Sequence, residues 1–173
     1  MSSPLVLHAA PGAGFEQPFE MLEACHERVE RMLGLLERLA THLVDAGADT
    51  SARQAARDVM RYFDLAAPQH HEDEERHVFP ALRALGQGAL ADALHADHEA
   101  MAGLWAALRT ALAAIADDGA RALPEADWRE FAALYRRHLA DEELLAYPPV
   151  VASTDAAGRE RMADEMARRR GIR

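Results

Sequence analysis

At 173 residues the chain is one domain of ordinary size, and its 50% hydrophobic content is enough to bury a real core. A formal net charge of −10 argues against nucleic acid as a partner. The single cysteine, Cys25, excludes an intrachain disulfide. There is no basic leader ahead of an apolar core, and no stretch reads as a membrane span of ~18 apolar residues, so the expectation is a cytoplasmic protein with no membrane partner.

Residues 1–15 are rich in Pro, Gly and Ala and read as a flexible N-terminal arm. From Gln17 the apolar residues Phe19, Leu22, Val29, Leu33, Leu36 and Leu43 fall at helical spacing, and Ala46-Gly47 suits a helix end. Asp49, Thr50 or Ser51 can cap a second helix running through Val59, Tyr62 and Phe63. Pro68 predicts a kink or short break before His70, after which the helix resumes to Leu85-Gly86. A third helix runs from about Ala89 to Asp117-Asp118-Gly119, and a fourth from Pro124-Glu125 to Pro148-Pro149. Residues 155–169 form a possible short C-terminal helix, ending in the basic run Arg168-Arg169-Arg170. The expected fold is all-α: an up-down-up-down antiparallel four-helix bundle over residues 16–150, followed by a C-terminal extension over 151–173.

One phrase occurs twice. His70-His71-Glu72-Asp73-Glu74-Glu75-Arg76-His77-Val78-Phe79-Pro80 is echoed 68 positions later by His138-Leu139-Ala140-Asp141-Glu142-Glu143-Leu144-Leu145-Ala146-Tyr147-Pro148. In both, a His and a Glu four residues apart share one helix face, one turn above each other. The repeat extends upstream, because His26-Glu27 in the first helix matches His98-Glu99 in the third.

Spacing alone does not choose between His70/Glu74 and His71/Glu75. The first pair shares its face with Val59, Phe63, Ala66, Val78 and Leu82, and the second with Met60, Asp64 and Phe79. A buried metal needs the apolar face, which favours His70/Glu74. The same test favours His138/Glu142, whose face holds Phe131, Leu134, Leu145 and Ala146. The candidate metal ligands are therefore His26, His70, Glu74, His98, His138 and Glu142. Four imidazoles and two carboxylates suit two metal ions bridged by the carboxylates, with iron or manganese the usual occupants of such bundle sites.

Each of these residues also has an ordinary reading. A lone His on an apolar face is usually a satisfied core histidine. Two buried glutamates without a cation would need arginine partners, and no Arg falls within one turn on their faces. His8 and His42 read as surface residues, and His71, His77 and His95 as groups at the rim. Glu75 and Glu143 read as solvated or as acceptors behind the ligands, Tyr62 and Tyr135 as core aromatics, and Cys25 as a buried thiol.

With these residues in place, the chain resembles the hemerythrin-like (HHE cation-binding) proteins over about residues 16–150. The resemblance rests on His26, on HHEDEERHVFP, on Asp97-His98-Glu99 and on HLADEELLAYP, in that order in four predicted helices. It implies a non-haem di-iron centre, oxo-bridged and held by the six residues above. It also implies a ligand that is a small diatomic molecule, O2 or NO, or peroxide. The chain departs from the oxygen carriers at Leu94, where they have a second His, and at Glu143, where they have an Asp. The four-His, two-Glu set is similar to the iron-centre repair branch. The expected function is binding or sensing in stress response, or iron handling. The rivals are a di-iron enzyme (a ferroxidase or peroxide reductase) and a structural or interaction module with a mononuclear or zinc site. Protein partners are unknown from the sequence.

Overall fold

A computed structural model describes residues 14–172. Most of the expected N-terminal arm lies outside this range. Among the described residues every element is helical: α1 (Pro18–Asp45), α2 (residues 50–84), α3 (Gly88–Asp118), α4 (residues 125–153) and α5 (Ala156–Arg169). Helices α1 to α4 run up and down, and each packs on its two neighbours to close a ring. This is the expected four-helix bundle, with α5 laid against α1.

The turns follow from local chemistry. Asp49 caps α2 by accepting from the Ala52 amide at 2.8 Å, and Asp155 caps α5 by accepting from Gly158 at 2.7 Å. At the end of α3, Gly119 sits at φ +74°, where a side chain is strained, and an added Cβ would meet the Arg53 guanidinium at 2.7 Å. Arg53 and Arg57 of α2 reach over this end and donate to the Ala116 carbonyl, satisfying an acceptor the helix itself leaves free.

The helix runs through Pro68 without a break, and it does not stop at Pro148-Pro149 as the sequence reading expected. Wide π turns absorb the prolines at Tyr62–Ala66, Glu74–Val78 and Glu142–Ala146. Each is closed by a backbone bond from the residue just before a proline: Ala67 to Tyr62, Phe79 to Glu74 and Tyr147 to Glu142. A proline lacks an N–H, and its ring crowds the carbonyl four residues back. In all three cases that carbonyl (Asp64, Arg76 or Leu144) lies mid-turn, where the wider loop moves it aside. The helix then continues, so α4 extends to Ser153 rather than ending at Pro148-Pro149.

Each π turn adds a residue and rotates the rest of the helix by about 100°. Phe79 and Tyr147 are thereby buried, while Leu145 is 51% exposed and Ala66 faces solvent. The uninterrupted α-helical faces drawn from the sequence misplaced Phe79, Leu145 and Ala66 for this reason.

The core has two apolar clusters. One is built on Val29 to Leu43, Phe63, Met101, Leu108, Ile115 and Phe131, and the other on Leu22, Val78, Phe79, Leu82, Leu94, Tyr147 and Val150. Met162 and Met166 bring α5 into the second cluster. Between the clusters lies a polar layer of His26, His70, Glu74, His98, His138 and Glu142, all buried. By length and composition alone Gly88–Asp118 is apolar enough to cross a membrane, which the sequence reading missed. In the bundle it packs on α2 and α4, points His98 inward and pairs Arg109 with Asp64 at 2.9 Å.

Candidate metal centre

Each of the four bundle helices contributes to the polar layer. His26 comes from α1, His70 and Glu74 from α2, His98 from α3, and His138 and Glu142 from α4. The structure brings all six together as two overlapping groups. One is His26, His70, Glu74 and Glu142, and the other is Glu74, His98, His138 and Glu142, with the ligand atoms of each group within 4.8 Å of one another. The first hairpin supplies the histidines of one group and the second hairpin those of the other. Both glutamates are common to the two groups.

The imidazoles aim Nε2 at these carboxylates. His70 Nε2 lies 3.3 Å from Glu74 Oε1, and His98 Nε2 lies 3.4 Å from Glu74 Oε2. His26 Nε2 lies 3.3 Å from Glu142 Oε2, and His138 Nε2 lies 3.0 Å from Glu142 Oε1. Behind two of the rings stand further carboxylates. His26 Nδ1 is 2.9 Å from Glu143 Oε1, and His98 Nδ1 is 2.8 Å from Glu75 Oε1. Both contacts place a proton on Nδ1, so whenever the ring is neutral, as a metal ligand must be, its Nε2 lone pair faces inward. Asp97, held by Arg137, lies 3.4 Å behind His138 Nδ1.

The sequence reading gave Tyr147 and Asp97 no role. The Tyr147 hydroxyl donates to Glu74 Oε1 and lies 3.0 Å from His26 Nε2. The signal was the aromatic residue closing each copy of the repeated phrase, five residues after the glutamate. Only a π turn makes that spacing face the site. Of the rim histidines, His71 stacks on His98 with centroids 3.9 Å apart, and His77 instead ties α2 to α5 through Glu165 at 2.7 Å. His95 is exposed, 3.6 Å from Glu75. Tyr62 donates to the Cys25 carbonyl, and Tyr135 packs on Phe63 and Phe131. Burial pushes the Cys25 thiol up to about 11, so it is inert at neutral pH.

The buried groups of the layer shift one another's protonation. Burial opposes charge on His26, but the carboxylates of Glu142 and Glu74 outweigh it and raise the imidazole to about 10. His98 is raised for the same reason, by Glu74 and then Glu75 against burial. Glu74 is held well below the usual carboxylate range, because His70, His26 and His98 overcome its burial. Burial and the two carboxylates push the Tyr147 phenol well up.

Protons do not satisfy the layer. Both nitrogens of His70, Oε2 of Glu74, Nδ1 of His138 and both oxygens of Glu142 are buried without a hydrogen bond. The close approach of His138 Nε2 to Glu142 is therefore proximity without alignment. Unsatisfied buried polar atoms are costly and uncommon in folded proteins, and here His70 Nε2, Glu74 Oε2 and both Glu142 oxygens face one another across the layer. Mixed imidazole and carboxylate donors with this convergence fit divalent transition metals.

The class that fold and site define is the helical bundle that holds cations between its helices. The family model for the hemerythrin HHE cation-binding domain matches residues 17–150, and the chain belongs to that family. It is 31% identical over 142 residues to an uncharacterized protein of Haemophilus influenzae, covering 81% of this chain and 83% of that protein.

Proposed function

We propose that the protein holds two iron ions in the polar layer, with Glu74 and Glu142 bridging them. His26 and His70 would serve one ion, and His98 and His138 the other. The protein would bind or sense O2, NO or peroxide in the cytoplasm, in stress response or iron handling. The observation that carries this reading is the pair of four-residue groups sharing two buried glutamates. When bound, iron supplies a redox-active Lewis acid with open positions.

The chain's own residues prepare that position. Glu143 and Glu75 hold His26 and His98 by Nδ1, so both rings keep their donor atoms aimed before any cation arrives. Phe79, Leu94 and Tyr147 on one side and Met101 and Phe131 on the other close the layer from water. A small uncharged molecule can enter such a layer at little desolvation cost, whereas a hydrated anion cannot.

Metal analysis with absorption spectroscopy, on protein purified from iron-supplemented cells and exposed to air, tests the reading. The expected result is two irons per chain with intense near-ultraviolet bands. His70→Ala should lose iron, and His71→Ala should keep it. A colourless protein holding one zinc per chain would overturn the reading. Stable uptake of O2 or NO supports binding, and sustained consumption of peroxide with a reductant would make the protein an enzyme instead.

A further inference from the structure

The two halves of the polar layer differ at one repeated position. The phrase ends in Phe79-Pro80 on α2 and in Tyr147-Pro148 on α4, and π turns swing both aromatic rings inward. Phe79 lies against the second group, its ring 5.3 Å from that of His98. Tyr147 lies against the first, its ring stacked 5.3 Å from that of His26. One half thus meets a phenyl ring and the other a phenol.

The phenol oxygen sits among the donor atoms. Two donors bound at right angles to one ion about 2.1 Å away lie about 3 Å apart. Tyr147 Oη and His26 Nε2 are 3.0 Å apart. His26 Nε2 to Glu142 Oε2, and His70 Nε2 to Glu74 Oε1, are each 3.3 Å. Tyr147 Oη also touches Glu74 Oε1 directly. Its side chain is fully enclosed, so the oxygen has no route to solvent and no partner outside this cluster.

We propose that Tyr147 is a fifth protein ligand to the metal position beside His26 and His70. The position between His98 and His138, faced by Phe79, is then the one open to a small molecule. This rests on the iron reading above. The first position has His26, His70, Glu74, Glu142 and Tyr147, and the second has His98, His138, Glu74 and Glu142. As the cation enters, the phenolic proton would pass through Glu74, its hydrogen-bond acceptor, and out to bulk water, because a bound cation reverses the cost of burying the phenolate. The asymmetry separates the roles of the two ions, since one is closed in by protein and the other is left to react.

The test is the visible spectrum of the ferric protein. The wild type should show a phenolate-to-iron(III) charge-transfer band, and resonance Raman excited in that band should show phenolate ring modes. Y147F should lose the band while retaining two irons, and adding F79Y to Y147F should restore it by placing a phenol at the other position. The remaining tyrosines are Tyr62, whose hydroxyl donates to the Cys25 carbonyl, and Tyr135, packed on Phe63 and Phe131. If Y147F fails to fold, Y62F and Y135F that both keep the band still assign it to Tyr147. Wild-type protein with two irons and no phenolate band overturns the proposal, as does a band that survives in Y147F. Protein that holds no iron overturns the iron reading itself, which the metal count reports separately.

Discussion

Asp73, Glu75, His77 and Phe79 of the first hairpin correspond, at the same positions of the repeated phrase, to Asp141, Glu143, Leu145 and Tyr147 of the second. Glu75 and Glu143 behave alike and act crosswise. Glu75 on α2 holds His98 on α3, and Glu143 on α4 holds His26 on α1. The other three pairs differ, and two of those differences trace to α5. Asp73 is wholly buried under Arg169 and Arg170, with Arg170 reaching both its oxygens at 3.0 and 2.6 Å. His77 pairs with Glu165 of α5. Asp141 and Leu145 meet no such cover, and Leu145 is largely exposed. The same phrase thus performs one role inside the bundle and another outside it. Its inward glutamates act alike on both sides of the layer, its inward aromatics differ, and its outward residues differ where α5 covers only one hairpin.

The largest effect is expected where that divergence is buried. Asp73→Ala removes the carboxylate that neutralises two arginines and should cost about 3 kcal/mol, the lower end for breaking a buried ion pair. Asp141→Ala, at the matching position, should stay within about 0.5 kcal/mol. Urea unfolding of both variants at equal metal content measures the contrast. Equal losses would show that α5 contributes no more to the first hairpin than solvent does to the second.

The crosswise pair sharpens the symmetric side of the comparison. Glu75→Ala and Glu143→Ala should each weaken metal binding about 10- to 100-fold, as losing the carboxylate behind a ligating histidine does elsewhere. Competition against a chelator should show one of two ions weakened in each variant, on the hairpin opposite the mutation. A silent Glu75 or Glu143 would break the symmetry.

The bundle was legible because its signals are local. Apolar spacing, caps and glycines marked the helices, and a His and a Glu four apart can be read within one α-helical turn. All six residues named for the layer on that basis converge there. What stayed hidden depends on departures from that regularity or on distant sequence. The π turns made Phe79 and Tyr147 face inward and turned Leu145 out, and nothing in an ideal helical projection shows an added residue. Their trace was a proline after each turn's closing residue: the sequence reading took Pro68 for a kink or short break and Pro148 for a stop, and drew nothing from Pro80. The Asp73 clamp joins residues nearly a hundred positions apart, and nothing next to Arg168-Arg169-Arg170 in the sequence points to Asp73 as their partner.

The smallest effect concerns the acid limb of stability, and its variant lies in α5, outside the metal layer. Arg169, and then His77 against some burial, hold Glu165 at about 2 rather than its usual 4.5. A carboxylate lowered on folding stabilises the protein in full above its unfolded value, and that contribution is lost as pH falls from about 4.5 toward 2. Glu165 remains about a third exposed, so solvent screening keeps its share modest. Glu165 ties α5 to α2 through His77, beside the Asp73 clamp, so acid should loosen α5 before it opens the bundle. Hydrogen exchange across pH 4.5 to 2 should therefore show α5 amides losing protection ahead of α3 amides. In Glu165→Gln the α5 amides should start less protected and change less over that window. If α5 and α3 lose protection together in the wild type, the covering helix is part of the bundle's single cooperative unit. The two hairpins would then differ in what they touch but not in how independently they open.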